Sequence, residues 1–337
     1  MKNERIIWLD YIRCFACLSV IILHISATYV IHNYKSNYDS WLFGNFLDSF
    51  TRTCVPLFFM ISGYLFMSEK SPSYKNFLKI VTALLFYSVL GWIANEIYYV
   101  TGIYSKKPNF DILEKPVYYH LWFFYTLIPI YIFMMIVKSR DINIRKTAII
   151  FFILFFIFNP KTKDLTSNLF NISVVTKFTI NDIFIYYLFY AFLGGSINKI
   201  EINKSKVTPI LSIILFLLSS IMIAILTINV SEKAGKSNVI FYGYTTPLVA
   251  IAAVSIFIFF KSLSIKLKDI KFISLISKHS LGIYGIHAII LSIMISIFDF
   301  HKKNFLIWFP LTFAVVLTIS LLFAFFLRKI DKKGYIS

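Results

Sequence analysis

"LDYIRCFACLSVIILH", residues 9–24, decides the fold. The stretch is apolar enough to enter a bilayer, yet it carries Asp10, Arg13 and His24. Around it lies a chain of 337 residues, 58% hydrophobic and 15% charged, with 37 Phe and 21 Tyr. A soluble domain carries about a quarter charged residues. Mean hydropathy is +0.75, and the apolar residues fall in runs of about 20, enough to cross hydrocarbon. The composition predicts an all-α integral membrane protein.

Ten spans are expected, forming a single transmembrane domain over 1–337: 6–31, 43–67, 77–100, 116–137, 147–159, 180–198, 207–230, 239–260, 272–298 and 305–327. Gly243 and Pro247 are expected to break the eighth. Asp10 and Arg13 interrupt the first apolar run and no small-residue cleavage site follows it, so the first span is read as retained. The net charge of +18 does not point to nucleic acid, because the basic residues lie in the short gaps between spans. The inner set is Lys2, Arg5, Lys70, Lys75, Lys79, Lys138, Arg140, Arg145, Lys146, Lys199, Lys204, Lys206, Lys261, Lys266, Lys268, Lys271, Arg328, Lys329, Lys332 and Lys333. The outer set is Lys35, Lys106, Lys107, Lys115, Lys161, Lys163, Lys177, Lys233, Lys236, Lys302 and Lys303. Twenty against eleven predicts that both termini are cytoplasmic.

Cys14 and Cys17 form a CxxC within the first span, but no second pair completes a zinc site. They and Cys54 read as packing thiols, and no metal centre is expected.

An arginine at the centre of a span costs about 2.5–3.5 kcal/mol even on the gentler insertion scale, so it faces the bundle and finds a partner. Asp10, three residues before Arg13, is a helix neighbour able to pair with it. His24 follows Arg13 by eleven residues. At about 100° per residue both lie on one stripe, ~16 Å apart along the axis. Arg13 would sit toward the cytoplasmic mouth and His24 beyond the midplane. Such a wet stripe offers an anion binder at one end and a neutral-range acid/base at the other. The plainer alternative is a structural Asp–Arg pair with a histidine bonded to a neighbouring helix.

The opening stretch resembles the first-span signature of the membrane acyltransferase-3 family, in which an Arg is followed after ten residues by a His. "RTCVPLFFMISGYLFM", residues 52–67, is similar to that family's basic–Pro–Phe-Phe–Ser-Gly second span. "YYHLWFFYTLIPIY", 118–131, and "SKHSLGIYGIHAIIL", 277–291, resemble its His/Leu-Trp-Phe stretch and its late Ser-Leu-Gly-Ile-Tyr…His segment. The chain departs from some members in having no pair of arginines spaced by three near the third span. No extracellular hydrolase-like domain is expected after the tenth span.

The resemblance implies an O-acetyltransferase moving acetyl from acetyl-CoA to hydroxyls of a cell-surface glycan or lipid-linked sugar, in a multi-pass bacterial plasma membrane protein. Acetyl-CoA would be the donor, with no permanently bound cofactor; the partners would be the acceptor and membrane lipids, and any second step would fall to another protein. His24 would be the general base, with Arg13 and Asp10 beside the donor path. Arg52 has Asp48 as its local partner and otherwise suits an anion or substrate. His120, Trp122 and Tyr125 suit either an aromatic interfacial belt or sugar binding. Lys278 is a snorkelling lysine or, with His279 level with Arg13, part of a phosphate site. Ser280, Tyr284 and His287 share one face. Asp182, Tyr186 and Tyr190 are weaker candidates. A glycan or small-anion transporter using the same intramembrane Arg and His is the rival class; a structural scaffold has no need of that stripe.

Overall fold

Backbone in hydrocarbon must satisfy its own N–H and C=O groups, and helices do so within one segment. All regular elements of the described residues are helical in this computed structural model, which describes residues 5–67, 70–140, 143–173, 178–202 and 207–337. Of the basic residues weighed for orientation, Lys2, Lys177, Lys204 and Lys206 lie outside them. The helices are α1 (Ile7–His32), α2 (Tyr38–Thr51), α3 (Cys54–Phe66), α4 (Tyr74–Val100), α5 (Trp122–Ile136), α6 (Ile144–Phe152), α7 (Thr162–Phe170), α8 (Ile183–Asn198), α9 (Val207–Ala234), α10 (Pro247–Ser262), α11 (Lys271–Phe298) and α12 (Phe305–Ile330).

Among the described residues, seven helical stretches are long and apolar enough to cross a membrane: α1, α4, α5 with its leading turn, α9, α10 with the turn before it, α11 and α12. The other three expected spans fall on shorter pieces. The stretch 43–67 is divided into α2 and α3 at Arg52–Thr53. Pro56 is the cause: it has no N–H for the Arg52 carbonyl, and its ring crowds that carbonyl, whereas the first turn of a new helix accepts it. The stretch 147–159 is α6 followed by a wide π turn, Ile153–Ile157. The stretch 180–198 is the 16-residue α8, capped by the Asp182 carboxylate accepting from Phe184 N at 2.8 Å. The expected break in the eighth span is present: a short turn, Ile240–Tyr242, precedes Gly243, and Pro247 starts α10.

The chain divides into two compact units. One comprises Met1–Ser71 with Lys138–Ser277, the other Pro72–Val137 with Lys278–Ser337.

In the first unit α1 packs on α2, α3 and α10, α9 packs on α10, and α3 packs on α8. The last contact is backbone against backbone. A Cβ at Gly63 would lie 1.8 Å from the Ala191 carbonyl oxygen, and one at Gly194 would lie 2.0 Å from that of Met60. Only glycine permits such an approach. Trp41, Ile223, Phe241, Tyr242 and Val249 form an apolar core around the end of α1. The three cysteines are buried and unbridged.

In the second unit α4 and α5 pack together. Gly282 and Gly285 of α11 admit close neighbours: a Cβ there would lie 2.6 Å from Ala324 Cβ and 2.1 Å from the Tyr87 ring. Past α12 the chain turns at Gly334, with φ of +67°, and lays 335–337 along α4. Thr82 Oγ1, Tyr87 Oη and Lys79 Nζ donate to the carbonyls of Tyr335, Ile336 and Ser337 at 3.0, 2.8 and 2.7 Å. Asp331 Oδ2 accepts from the Ile336 and Ser337 amides at 2.7 and 2.9 Å.

Candidate active site

In the first unit the unbroken α1 carries Asp10, Arg13 and His24 in the register the sequence predicts. Asp10 is 5% exposed, so its charge needs compensation. The expected Arg13–Asp10 pair is present at 3.4 Å. Two closer donors outrank it. Arg5 Nε and Ser277 Oγ each donate to Asp10 at 2.6 Å. Arg5 also reaches Asp269 at 2.9 Å and Ser274 Oγ. Burial alone would lower the Arg5 pKa, but the carboxylates of Asp10 and Asp269 raise it above the ordinary value. With Asp10 held mainly by others, the Arg13 side chain keeps 28% of its surface exposed.

His24 is half-buried, and its carbonyl accepts from Thr28 Oγ1 at 3.1 Å. Between Arg13 and His24 the same stripe carries Cys17 and Val20, both buried, at 3% and 4% exposure. The expected wet stripe is therefore polar only at its two ends. The two residues that close its middle are apolar because the helix packs its inner face here, where a polar side chain would need a partner.

Arg52 stands at the junction of α2 and α3. Its guanidinium pairs with the fully buried Asp48 one turn earlier, at 14% and 0% side-chain exposure. The same group lies 4.3 Å over the Tyr242 ring and 5.8 Å from that of Tyr244, a cation–π arrangement. Tyr242 Oη in turn donates to Asn45 Oδ1, and Asn45 Nδ2 donates to the Ala224 carbonyl at 3.0 Å. Among the described residues Arg52 Nε is buried with no hydrogen-bond partner, and the Thr53 hydroxyl beside it is likewise unmatched.

The weaker candidates on α8 serve the backbone. Tyr186 Oη donates to the carbonyls of Phe158 and Ile180 at 2.9 and 3.0 Å, and Tyr190 Oη to that of Tyr244 at 2.7 Å.

In the second unit His120, Tyr284 and His287 gather into one cluster. The His120 ring lies 5.1 Å from that of His287 and 5.4 Å from that of Tyr284. His120 Nε2 faces the Gly285 carbonyl at 3.2 Å, and His287 Nδ1 faces the Tyr284 carbonyl at 2.6 Å. A carbonyl only accepts, so each of those nitrogens carries the proton. The Tyr284 hydroxyl donates to the His120 carbonyl. Phe123 and Phe124 wall the Tyr284 ring, each at 5.6 Å.

The remaining candidates stand apart from this cluster. Tyr125 donates to the carbonyls of Ile112 and Lys115 at 2.5 and 3.3 Å, pinning the chain before α5. Trp122 is half-buried and edge-on to Phe123. Lys278 is exposed, and its carbonyl accepts from Arg328 at 2.8 Å. His279, one residue on, is the buried member and lies 6.1 Å from the Phe325 ring.

Three residues outside the sequence-derived set belong to these networks. Arg5, counted for orientation, is the chief partner of Asp10. Tyr242 holds Arg52. Lys261, also counted for orientation, is buried and donates to the carbonyls of Ile197, Asn198 and Ile200, closing the C-terminal end of α8. A carboxylate in the first turn of α1 signals that a cation is needed, but nothing in the sequence names which one.

A family model described as an acyltransferase domain matches residues 6–325. No curated protein and no solved structure matches the chain.

Proposed function

From the chain's membership of the acyltransferase-3 family of membrane proteins, we propose that it transfers acetyl from acetyl-CoA to a hydroxyl of a cell-envelope glycan. The observation that carries this reading is α1 itself. Arg13 and His24 sit, half-buried, at the two ends of one stripe, held by an uninterrupted helix. Arg13, which pairs with Asp10 and keeps 28% of its side chain exposed, meets donor phosphates. His24 accepts the proton of the acceptor hydroxyl as its oxygen attacks the thioester carbonyl. A C–O bond forms, the tetrahedral intermediate collapses, the C–S bond breaks, and the proton passes from His24 to the leaving thiolate. Arg52, with its leftover Nε–H, is the candidate donor to the oxyanion, a contribution of a few kcal/mol where such groups have been removed. The His120–Tyr284–His287 cluster, walled by aromatic rings, suits a sugar ligand. The protein would work in the bacterial plasma membrane with both termini cytoplasmic.

The test is acetyl-CoA turnover by the purified protein in lipid, read as free thiol released when candidate glycans are added. Acceptor-dependent thiol release is expected. Folded protein that releases none with any acceptor, yet moves a glycan or small anion across vesicles, would replace this reading with the transporter.

A further inference from the structure

Past α12 the chain doubles back and is gripped by its backbone. The carbonyls of Tyr335, Ile336 and Ser337 accept from Thr82, Tyr87 and Lys79 of α4, while Asp331 Oδ2 accepts from the amides of Ile336 and Ser337. Ser337 Oγ donates to the same Asp331 oxygen at 3.0 Å, and Ser337 is buried. Five of these six bonds engage the main chain of 335–337, so the strap is held by its course and not by its side chains. Ordering a chain segment costs entropy, and this one is ordered by bonds on both of its edges.

Tyr87 is where the strap meets the rest of the second unit. The residue is 0% exposed. Its hydroxyl ends on the strap, at the Ile336 carbonyl, 2.8 Å away. Its ring lies in the notch that Gly282 and Gly285 leave on α11: a Cβ at Gly285 would come within 2.1 Å of Tyr87 Cε1. The ring therefore rests on the main chain of α11. Gly285 is also the residue whose carbonyl faces His120 Nε2 at 3.2 Å, and it follows Tyr284, whose hydroxyl returns to the His120 carbonyl. Strap, Tyr87, Gly285 and His120 form one unbroken run of contacts, the kind of packed chain along which coupling travels.

We propose that the 335–337 strap sets the His120–Tyr284–His287 cluster through Tyr87, a positioning residue. With the strap seated, Tyr87 is pinned at both ends, the Gly285 carbonyl stays within reach of His120, and the proton of that imidazole stays on Nε2. With the strap lifted, the Tyr87 hydroxyl loses its carbonyl, the ring is able to leave the notch, and the Gly285 carbonyl no longer keeps its station. The functional consequence rests on the sugar reading of the cluster given above: the strap sets acceptor affinity, not the chemical step.

The experiment reads the ring 15N resonances of the histidines in the full-length protein in nanodiscs, with His120 assigned by its loss in His120→Gln. In the parent His120 should be a neutral ring protonated at Nε2. Tyr87→Phe, which keeps the ring and drops only the hydroxyl, and deletion of 335–337 should each move His120 toward a mixture of tautomers. His301, in the turn beyond the far end of α11, should not move in either protein. Ile336→Ala, which leaves every main-chain bond in place, should match the parent. In the thiol-release assay the acceptor KM of the first two proteins should rise about two- to tenfold, the worth of one net hydrogen bond, with kcat unchanged. Unchanged His120 resonances in both Tyr87→Phe and the deleted protein would overturn the inference. Movement of His120 and His301 together would reduce the effect to a loosened fold and overturn it too. A parent His120 protonated at Nδ1 would break the chain at Gly285. Movement of His120 alone with a parental KM would uphold the positioning and remove the sugar from the cluster.

Discussion

The guanidinium of Arg52 lies 4.3 Å over the ring of Tyr242 while pairing back to Asp48. Both charges are withdrawn from bulk water, and removing one strands the other. Losing one partner of a buried pair costs about 3–5 kcal/mol, whereas neutralising both together costs far less. Arg52→Gln should lower the melting temperature in detergent more than the double variant Asp48→Asn/Arg52→Gln does. A single variant as stable as the parent would show that water reaches Asp48.

His24 carries the catalytic proposal. General-base assistance contributes about a hundred- to ten-thousandfold in rate, so His24→Ala should reduce acceptor-dependent thiol release by that range with CoA binding retained. His24→Gln keeps hydrogen bonding without basicity and should fail comparably. Near-parental turnover by the Gln protein would move the base to another histidine.

The α3–α8 contact makes a structural prediction. Overpacking a close core contact costs typically ~1–3 kcal/mol, and here the obstacle is a carbonyl that cannot rotate away. Gly63→Ala and Gly194→Ala should each sharply lower folded yield. Gly243→Ala, whose nearest neighbour would be Thr246 Cγ2 at 3.4 Å, should be tolerated.

Asp331 predicts an acid-sensitive tail. Partial burial pushes its pKa up, but hydrogen bonds from the Ile336, Tyr335 and Ser337 region win and hold it below the ordinary carboxylate value. A carboxyl lowered on folding stabilises at pH above its unfolded pKa of about 3.9 and loses that contribution as pH falls through the folded value. Protection of the 336 and 337 amides from hydrogen exchange, taken relative to the free-chain rate at each pH, should therefore fall on acidification, and Asp331→Asn should show the lower protection already at neutral pH. Exchange that ignores both changes would mean the tail is held by Lys79, Thr82 and Tyr87 alone.

Orientation is checked by cysteine labelling against a background of three buried native thiols. Lys35→Cys and Lys302→Cys should react in intact cells, and Arg140→Cys and Lys332→Cys only after permeabilisation. Labelling of Lys332→Cys from outside would reverse the topology.

What sequence could reveal followed locality. The Asp10–Arg13–His24 register and the Asp48–Arg52 pair obey helix spacing, so periodicity alone places them. The interruption at Arg52 was carried by Pro56, yet the apolar run 43–67 masked it, because hydropathy does not sense a missing N–H. Arg5 reaches Asp10 from just before α1 and Asp269 from far along the chain, and Tyr242 meets Arg52 between distant elements, so no helix-spacing rule places either. On α11, Lys278 and His279 differ by one position, about 100° of rotation. An apolar helix offers few marks to say which of the two turns inward, and the structure selects His279.

The glycine seam between α3 and α8 has a mechanical consequence. Where side chains meet, helices slide by changing rotamers; where Gly63 meets Ala191 and Gly194 meets Met60, main chain abuts main chain and no such give exists. The two helices therefore behave as a single stiff beam. Arg52, at the head of that beam, keeps a fixed station relative to α8 while other seams flex. Whatever breathing the first unit undergoes must come from the side-chain-lined contacts of α1 and α9, not from this one.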